Sequence, residues 1–121
     1  MNTQIKPLDP TAEFKTTERC FITELVNDES SPALSIARAR VDPGVTTAWH
    51  KLIETAERYL ISSGQGLMEI EGVEPTTVTE GELVCIPPDT PQRITNTGSE
   101  DLIFFAICTP RFTPECYIGL E

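Results

Sequence analysis

The sequence predicts an all-β protein, an antiparallel sandwich or small barrel with little or no helix. Strand-like segments recur roughly every ten residues, the spacing typical of such folds. The 10 prolines and 7 glycines fall mostly between those segments, where turns need them. The segment Leu102 to Cys108 is a continuous apolar run, typical of a strand that is buried on both faces.

The individual strands follow from alternation and from the turn residues that bound them. The segment 33–41 alternates clearly: Ala37 and Ala39 share one face, and Arg38 and Arg40 share the other. In chain order, the predicted strands cover residues 20–26, 33–41, 66–71, 76–79, 83–86, 92–95 and 102–108.

The segment from His50 to Ile61 leaves two structures open. Its apolar residues, among them Leu52, Ala56 and Tyr59, fall at helical spacing. The same residues also fit a strand, a turn and a second strand, and periodicity alone does not decide between the two.

Length and charge limit the kinds of protein that this chain can be. The chain has 121 residues, a length suited to a single domain. Lys and Arg number 9 against 19 Asp and Glu, a formal net charge of −10. Because such a surface repels phosphate groups, we expect neither nucleic acid nor a membrane as a partner.

The N-terminal residues and the cysteines predict a cytoplasmic protein. The first twenty residues contain no apolar stretch of the kind found in secretory signals. The four cysteines show no C-x-x-C pairing, so we expect free thiols. Cys85 and Cys108 lie within apolar segments and are predicted to be small core residues.

Two spaced motifs carry the strongest signal in the chain. The first reads Gly44, five residues, His50, one residue, Leu52, four residues, Glu57, six residues, Gly64. The second has the following members, separated in turn by five, one, two and three residues: Gly81, Pro87, Asp89, Gln92 and Asn96.

This pattern resembles the two conserved motifs of the cupin superfamily, and in particular small single-domain bacterial type-2 cupins. The resemblance implies an antiparallel barrel, a jelly roll of two Greek-key halves, and favours strands over helix at residues 50–61. It also implies a homodimer. Residues 1–32 would form an N-terminal arm in dimer contact, 33–109 the barrel, and 110–121 a C-terminal extension of one domain, 1–121.

The motifs depart from the family pattern at the metal site. In the family, two histidines and a glutamate of the first motif and one histidine of the second hold a metal. His50 and Glu57 match, but Leu52 and Gln92 stand where the other two histidines would be, and Asp89 replaces a glycine. The resemblance therefore implies a reduced metal site of His50, Glu57 and Gln92.

Such a ligand set fits a divalent ion such as zinc, manganese, iron or nickel only weakly, so we expect low occupancy. Glu57 is expected to face inward, where a metal or a protonated His50 would compensate its charge. Gln92 could instead bind a substrate or only water. Leu52, Tyr59 and Cys108 are predicted to line the ligand pocket, although Tyr59 and Cys108 also suit a purely structural role.

Two functions follow from this site. The first is binding of a small molecule in the barrel lumen, with a metal that is weakly held or absent. The second is a metal-dependent enzyme, a dioxygenase, isomerase, epimerase or decarboxylase acting on a small polar metabolite. The sequence alone leaves open whether the protein is an enzyme.

Overall fold

The computed structural model describes all 121 residues and confirms the all-β prediction. It contains eleven strands, two single-turn 3₁₀ segments and no α-helix. The strands are β1 (Phe14–Lys15), β2 (Phe21–Val26), β3 (Ser35–Val41), β4 (His50–Leu52), β5 (Ala56–Ser63), β6 (Gln65–Ile70), β7 (Thr76–Thr79), β8 (Leu83–Ile86), β9 (Gln92–Asn96), β10 (Leu102–Thr109) and β11 (Tyr117–Gly119).

The strands form two antiparallel sheets whose inner faces pack together. The larger sheet has the order β1-β2-β3-β10-β5-β8, and the smaller has the order β11-β4-β9-β6-β7. Strands that are distant in sequence therefore lie side by side, as β3 and β5 do on either side of β10. Ile61 and Phe104 of the larger sheet join Met68 and Ile94 of the smaller sheet in one buried cluster.

Each long strand of the larger sheet runs from a cavity into this core. Along β5, Glu57 and Tyr59 line the cavity, and Ile61 is almost completely buried in the core. Along β10, Cys108 faces the cavity and Leu102 is fully buried. The period-two alternation of a strand therefore fixes which side chains the chain presents to the cavity.

Residues 50–61 form two strands joined by a turn, as the family resemblance implied. The turn between β4 and β5 places Glu54 in the left-handed region, with φ of 52°. The apolar residues of this segment do not share one face. Ile53 and Leu60 are exposed, whereas Leu52 and Tyr59 are buried. The helical spacing in the sequence is therefore a coincidence between inward and outward side chains of two separate strands.

Three details of the strand prediction are wrong. Cys85 is exposed rather than buried, because Val84 and Ile86 take the inward positions of β8. The strand predicted at 33–41 is β3, and it begins at residue 35. Leu34 is held in a turn, where its carbonyl accepts from the Ser31 hydroxyl. The outer face of β10 is only half-buried, so that strand is not covered equally on both sides.

The segments outside 33–109 are part of the sheets. β1 and β2 extend the larger sheet, and β11 pairs with β4, with Gly119 opposite His50. The C-terminal segment is fixed further by Glu121, which accepts two hydrogen bonds from Arg19 at 3.0 and 2.7 Å. None of the helical segments has the length and apolar character needed to cross a bilayer.

Gly64 is required where β5 turns into β6. Its φ is +85°, and a Cβ atom would lie 2.7 Å from the carbonyl oxygen of Asp101. Any other residue would therefore be strained and would clash with backbone. This explains the last glycine of the first motif.

Candidate functional site

A cavity of about 570 Å³ lies inside the barrel. Its wall on the larger sheet consists of small side chains on two paired strands: Ala37 and Ala39 on β3, and Ala106 on β10. Because these side chains reach only a short distance from the sheet, the space between the sheets stays open here. The lumen is thus created by a run of small inward residues.

His50 is held at the cavity wall by contacts to its ring. Its Nδ1 lies 2.7 Å from the carbonyl oxygen of Ala48. Since a carbonyl only accepts, Nδ1 carries a proton, and in the neutral ring Nε2 is then an acceptor. The ring also stacks on Tyr117 of β11, with centroids 5.0 Å apart.

Gln92, at the start of β9, joins the two motif residues that face the lumen. Its Nε2 lies 2.9 Å from His50 Nε2 and donates at 2.9 Å to Glu57 Oε1. Its Oε1 accepts from the Tyr59 hydroxyl at 3.1 Å. Because His50 Nε2 and the carboxylate both accept, the amide must present its NH₂ group to them. Every polar atom of Gln92 is therefore engaged.

The sequence-predicted residues lie together, but they have different positions. His50, Glu57, Leu52, Tyr59 and Cys108 all line the cavity. Gln92 is packed behind them and is almost completely buried. It orients the imidazole and the carboxyl group and does not itself reach the lumen.

Glu57 has an environment that favours its protonated form. Burial, together with the negative charge of Glu18, raises the pKa of Glu57 to about 8. The Cys108 thiol lies 3.5 Å from Glu57 Oε2, and burial raises the pKa of Cys108 as well. Near neutral pH the lumen therefore holds a neutral carboxyl group beside an imidazole.

Glu18 is a lumenal residue that the sequence did not reveal. It lies in the loop before β2, lines the cavity, and places its Oε2 3.7 Å from His50 Nε2. Its side chain keeps 24% of its surface exposed, and burial raises its pKa. No motif marks this residue, because its contact with His50 depends on how the N-terminal loop folds over the barrel.

The donors at the centre of the motif do not fit a divalent metal in this arrangement. The single lone pair of His50 Nε2 and one lone pair of Glu57 Oε1 already accept hydrogens from Gln92. The amide oxygen is turned away, toward Tyr59. No group of three or more His, Cys, Asp or Glu side chains is placed to hold a metal ion. The reduced metal site remains a prediction, and the hydrogen bonds argue against it.

Asp89 shows how the chain tolerates the loss of the second-motif glycine. Its φ is 62°, a left-handed conformation that Asp adopts more readily than most residues. Its Oδ1 accepts from the backbone N–H of Glu54, and its own N–H donates to the carbonyl of Leu52. The substitution therefore preserves the turn beside β4.

The two sheets, with His50 and Glu57 facing the lumen and Gln92 behind them, define a small β-barrel protein with an internal cavity. The sequence profile described as "Cupin domain" matches residues 37–108, which is more than half of the chain. The chain therefore belongs to the cupin family. An uncharacterized protein of Methanocaldococcus jannaschii, MJ1618, is 36% identical over 81 residues; the match covers 67% of this chain and spans 64% of that relative's length.

Solved structures show the same fold at low sequence identity. A predicted oxalate decarboxylase from Thermotoga maritima aligns with a TM-score of 0.80 and 21% identity, covering 88% of this chain and 99% of that one. A Klebsiella pneumoniae protein with a double-stranded β-helix domain has a TM-score of 0.79 and 15% identity, with 99% of both chains covered. The Streptomyces nucleoside dehydratase Pac13 has a TM-score of 0.77 and 16% identity, with 98% and 92% covered.

Proposed function

We propose that this cupin binds a small organic molecule in its lumen without a resident metal. One observation carries the proposal: the cavity wall presents His50 and Glu57 in a hydrogen-bonded array that Gln92 has already completed. The cavity has the size usual for small-molecule sites. We therefore expect this array to contact polar atoms of an organic ligand and not to coordinate an ion.

The names of the structural neighbours are compatible with this class of function. One is called a predicted oxalate decarboxylase and another a nucleoside dehydratase. Both names refer to small-molecule substrates. At these sequence identities the similarity supports the fold. The class of ligand is therefore inferred from the residues that line the cavity of this chain.

A second candidate function is acid–base catalysis on the bound molecule. Glu57 faces the cavity with a pKa raised to about 8, so it holds a proton at neutral pH. A carboxyl group of this kind suits a general acid. This arrangement favours a metal-independent enzyme over the metal-dependent dioxygenase, isomerase, epimerase or decarboxylase that the sequence suggested as an alternative.

Filling the lumen tests the binding proposal directly. We expect phenol and benzyl alcohol, added as neutral probes, to shift backbone NMR signals of lumenal residues in the parent protein. The Ala106→Leu variant should lose these shifts, because the added side chain enters the cavity between β3 and β10. Ser62→Leu adds similar bulk on the outer side of β5, where Ser62 is exposed, and should keep them.

Two results would contradict the proposal. Equal probe shifts in Ala106→Leu and the parent would show that the probes bind outside the lumen. Stoichiometric, chelator-resistant metal in protein purified without added metal would show that the lumen holds a resident ion. Elemental analysis of the purified protein provides this second measurement.

We also propose that the chain forms a homodimer through its N-terminal arm. β1 is the edge of the larger sheet, and the arm carries apolar side chains that are exposed in the single chain: Ile5, Leu8 and Phe14. Light scattering should give twice the chain mass, and Ile5→Ser/Leu8→Ser should shift the protein toward monomer. A monomeric parent at micromolar concentration would refute this. The cytoplasmic location stays a prediction.

A further inference from the structure

The charged side chains that line the lumen are almost all of one sign. They comprise four carboxyl groups and a single guanidinium: Glu18, Glu24, Glu57, Glu115 and Arg111. His50, the remaining basic residue of the wall, has both ring nitrogens in contact with the chain, Nδ1 with the Ala48 carbonyl and Nε2 with the Gln92 amide. Glu24 and Glu115 are exposed, whereas Glu57 is buried and Glu18 lies beside His50. The inner part of the cavity therefore holds two carboxyl groups and no guanidinium.

The single guanidinium of the wall does not reach the buried end of the cavity. Arg111 follows β10 and donates through Nη1 to Asn27 Oδ1 at 3.0 Å. Asn27 in turn donates to Glu24, so the half-buried Arg111 is held against the β2–β3 loop. An anionic group of a ligand placed beside His50 would lie near the carboxyl groups of Glu18 and Glu57. No Lys or Arg side chain would be close enough to balance its charge.

None of the other eight cations lines the cavity, and four of them form ion pairs elsewhere on the chain. Arg40 contacts Glu13 at 2.7 Å, Arg93 contacts Glu69 at 3.0 Å, and Arg19 contacts Glu121. These ion pairs lie on other surfaces of the barrel. The negative charge of the lumen is therefore not balanced from within the chain.

Glu18 is the group that most clearly lacks a partner. No N–H or hydroxyl of the chain donates to its side chain, and the nearest nitrogen, His50 Nε2 at 3.7 Å, lies beyond hydrogen-bond distance. A carboxylate that is three-quarters buried without a donor is costly. A ligand that carries N–H donors and a positive charge would supply what is missing.

The apolar part of the lumen also suits an organic cation. Phe104 and Tyr59 stand against each other, with ring centroids 4.2 Å apart, and both line the cavity. Phe14 and Phe112 contribute to its outer part. Aromatic faces attract ammonium groups, and the small residues of β3 and β10 leave room for an apolar body.

We infer that the lumen takes an organic cation, an amine or amidine with an apolar body, and places its charged group between Glu18 and Glu57. This inference rests on the proposed function and deepens it, because it assigns the ligand class of the same cavity. It also separates this chain from a site for a dianion such as oxalate, whose two charges would meet carboxylates at close range.

The test compares matched probes that differ only in charge. Phenethylamine, 2-phenylethanol and 3-phenylpropionate share an aromatic body and present a cation, a neutral group and an anion. Titrated into the full chain and followed by backbone NMR shifts at pH 8.5, the amine should bind about tenfold or more tightly than the alcohol. The carboxylate should bind least.

The carboxylate assignment is tested with a matched pair of variants. Glu18→Gln should lower the affinity for the amine about tenfold and leave that for the alcohol nearly unchanged. Glu74→Gln removes the same charge from an exposed loop away from the lumen and should change neither. A fingerprint NMR spectrum shows that each variant is folded.

The possible outcomes distinguish the two proposals. Alcohol binding in the lumen without preference for the amine, or equal effects of Glu18→Gln and Glu74→Gln, would overturn the cation assignment and leave small-molecule binding standing. Absence of lumenal shifts with all three probes at millimolar concentration would count against the proposed function itself.

Discussion

Replacing Leu52 and Gln92 together by histidine should convert the lumen into a transition-metal site. Leu52 lies two residues after His50 on β4, so both side chains face the cavity. Residue 92 stands 2.9 Å from both His50 Nε2 and Glu57 Oε1. The double variant would thus bring three imidazoles and one carboxylate together, the ligand set that the family resemblance implies.

The expected gain is large because both substitutions act on the same ion. Gln92→His removes the amide hydrogens that occupy the lone pairs of His50 and Glu57, and Leu52→His adds a donor where the chain has none. Four-ligand zinc sites are worth roughly 10 kcal/mol or more. We expect zinc affinity to rise about a thousandfold, or roughly 4 kcal/mol, over the parent chain when measured by calorimetry.

The single variants and a triple variant control this experiment. Leu52→His and Gln92→His alone should each gain less than the pair, and adding His50→Ala to the pair should remove most of the gain. A ligand that binds the folded chain also raises its stability, so zinc should increase the Tm of the double variant. An unchanged zinc affinity would mean that residue 52 does not face the other donors.

The sequence was sufficient for the placement of the motif residues. Strict spacing predicted the face of His50 and Leu52 on β4 and the inward side of β5 for Glu57 and Tyr59, because a strand alternates with period two. It did not predict the orientation of the Gln92 amide. That orientation depends on which partners accept, and it places the amide hydrogens of Gln92 against His50 and Glu57.

Other parts of the site could not be predicted because they depend on contacts between distant segments. Glu18 reaches His50 from a loop about thirty residues earlier, and Tyr117 stacks on it from the C-terminal strand. One sequence signal does bear on the cavity: Ala37 and Ala39, which share one face of β3, are too small to fill a barrel. A run of such small inward residues leaves space between the two sheets.

Substituting Glu57 by glutamine should abolish much of the pH dependence of stability. The pKa of Glu57 is about 8 in the folded chain, against an ordinary value of 4.5. Between these values the folded state binds more protons than the unfolded state, so the free energy of unfolding falls as pH rises. The contribution is fully present below pH 4.5 and is lost as the pH passes through about 8.

The size of this change in stability follows from the difference between the pKa of Glu57 in the folded and unfolded chain. Each pKa unit corresponds to about 1.4 kcal/mol, so the full titration of Glu57 is worth on the order of 3–5 kcal/mol. The side-chain amide introduced by Glu57→Gln would keep an oxygen that accepts from Gln92 and would carry no charge at any pH. Near pH 5 the variant and the parent should therefore be similar in stability, and at pH 9 the variant should be more stable by roughly 3 kcal/mol.

Urea unfolding followed through Trp49 fluorescence between pH 5 and 9 measures this difference. Glu74→Gln is the control for net charge and should keep the slope of the parent. Glu18→Gln should move the Glu57 transition to lower pH, because the charge of Glu18 contributes to the raised pKa of Glu57. Parallel curves for Glu57→Gln and the parent would show that Glu57 is already ionised at low pH.

The same titration connects stability with ligand class. At high pH the folded barrel must keep the charges of Glu57 and Glu18 close together in a lumen with little access to water, and this is what weakens it. A ligand with positive charge would oppose that repulsion, whereas a neutral or anionic ligand would not. The pH at which the free barrel loses stability is therefore the pH at which the cavity gains affinity for a cation, because both follow the ionisation of the same carboxyl group.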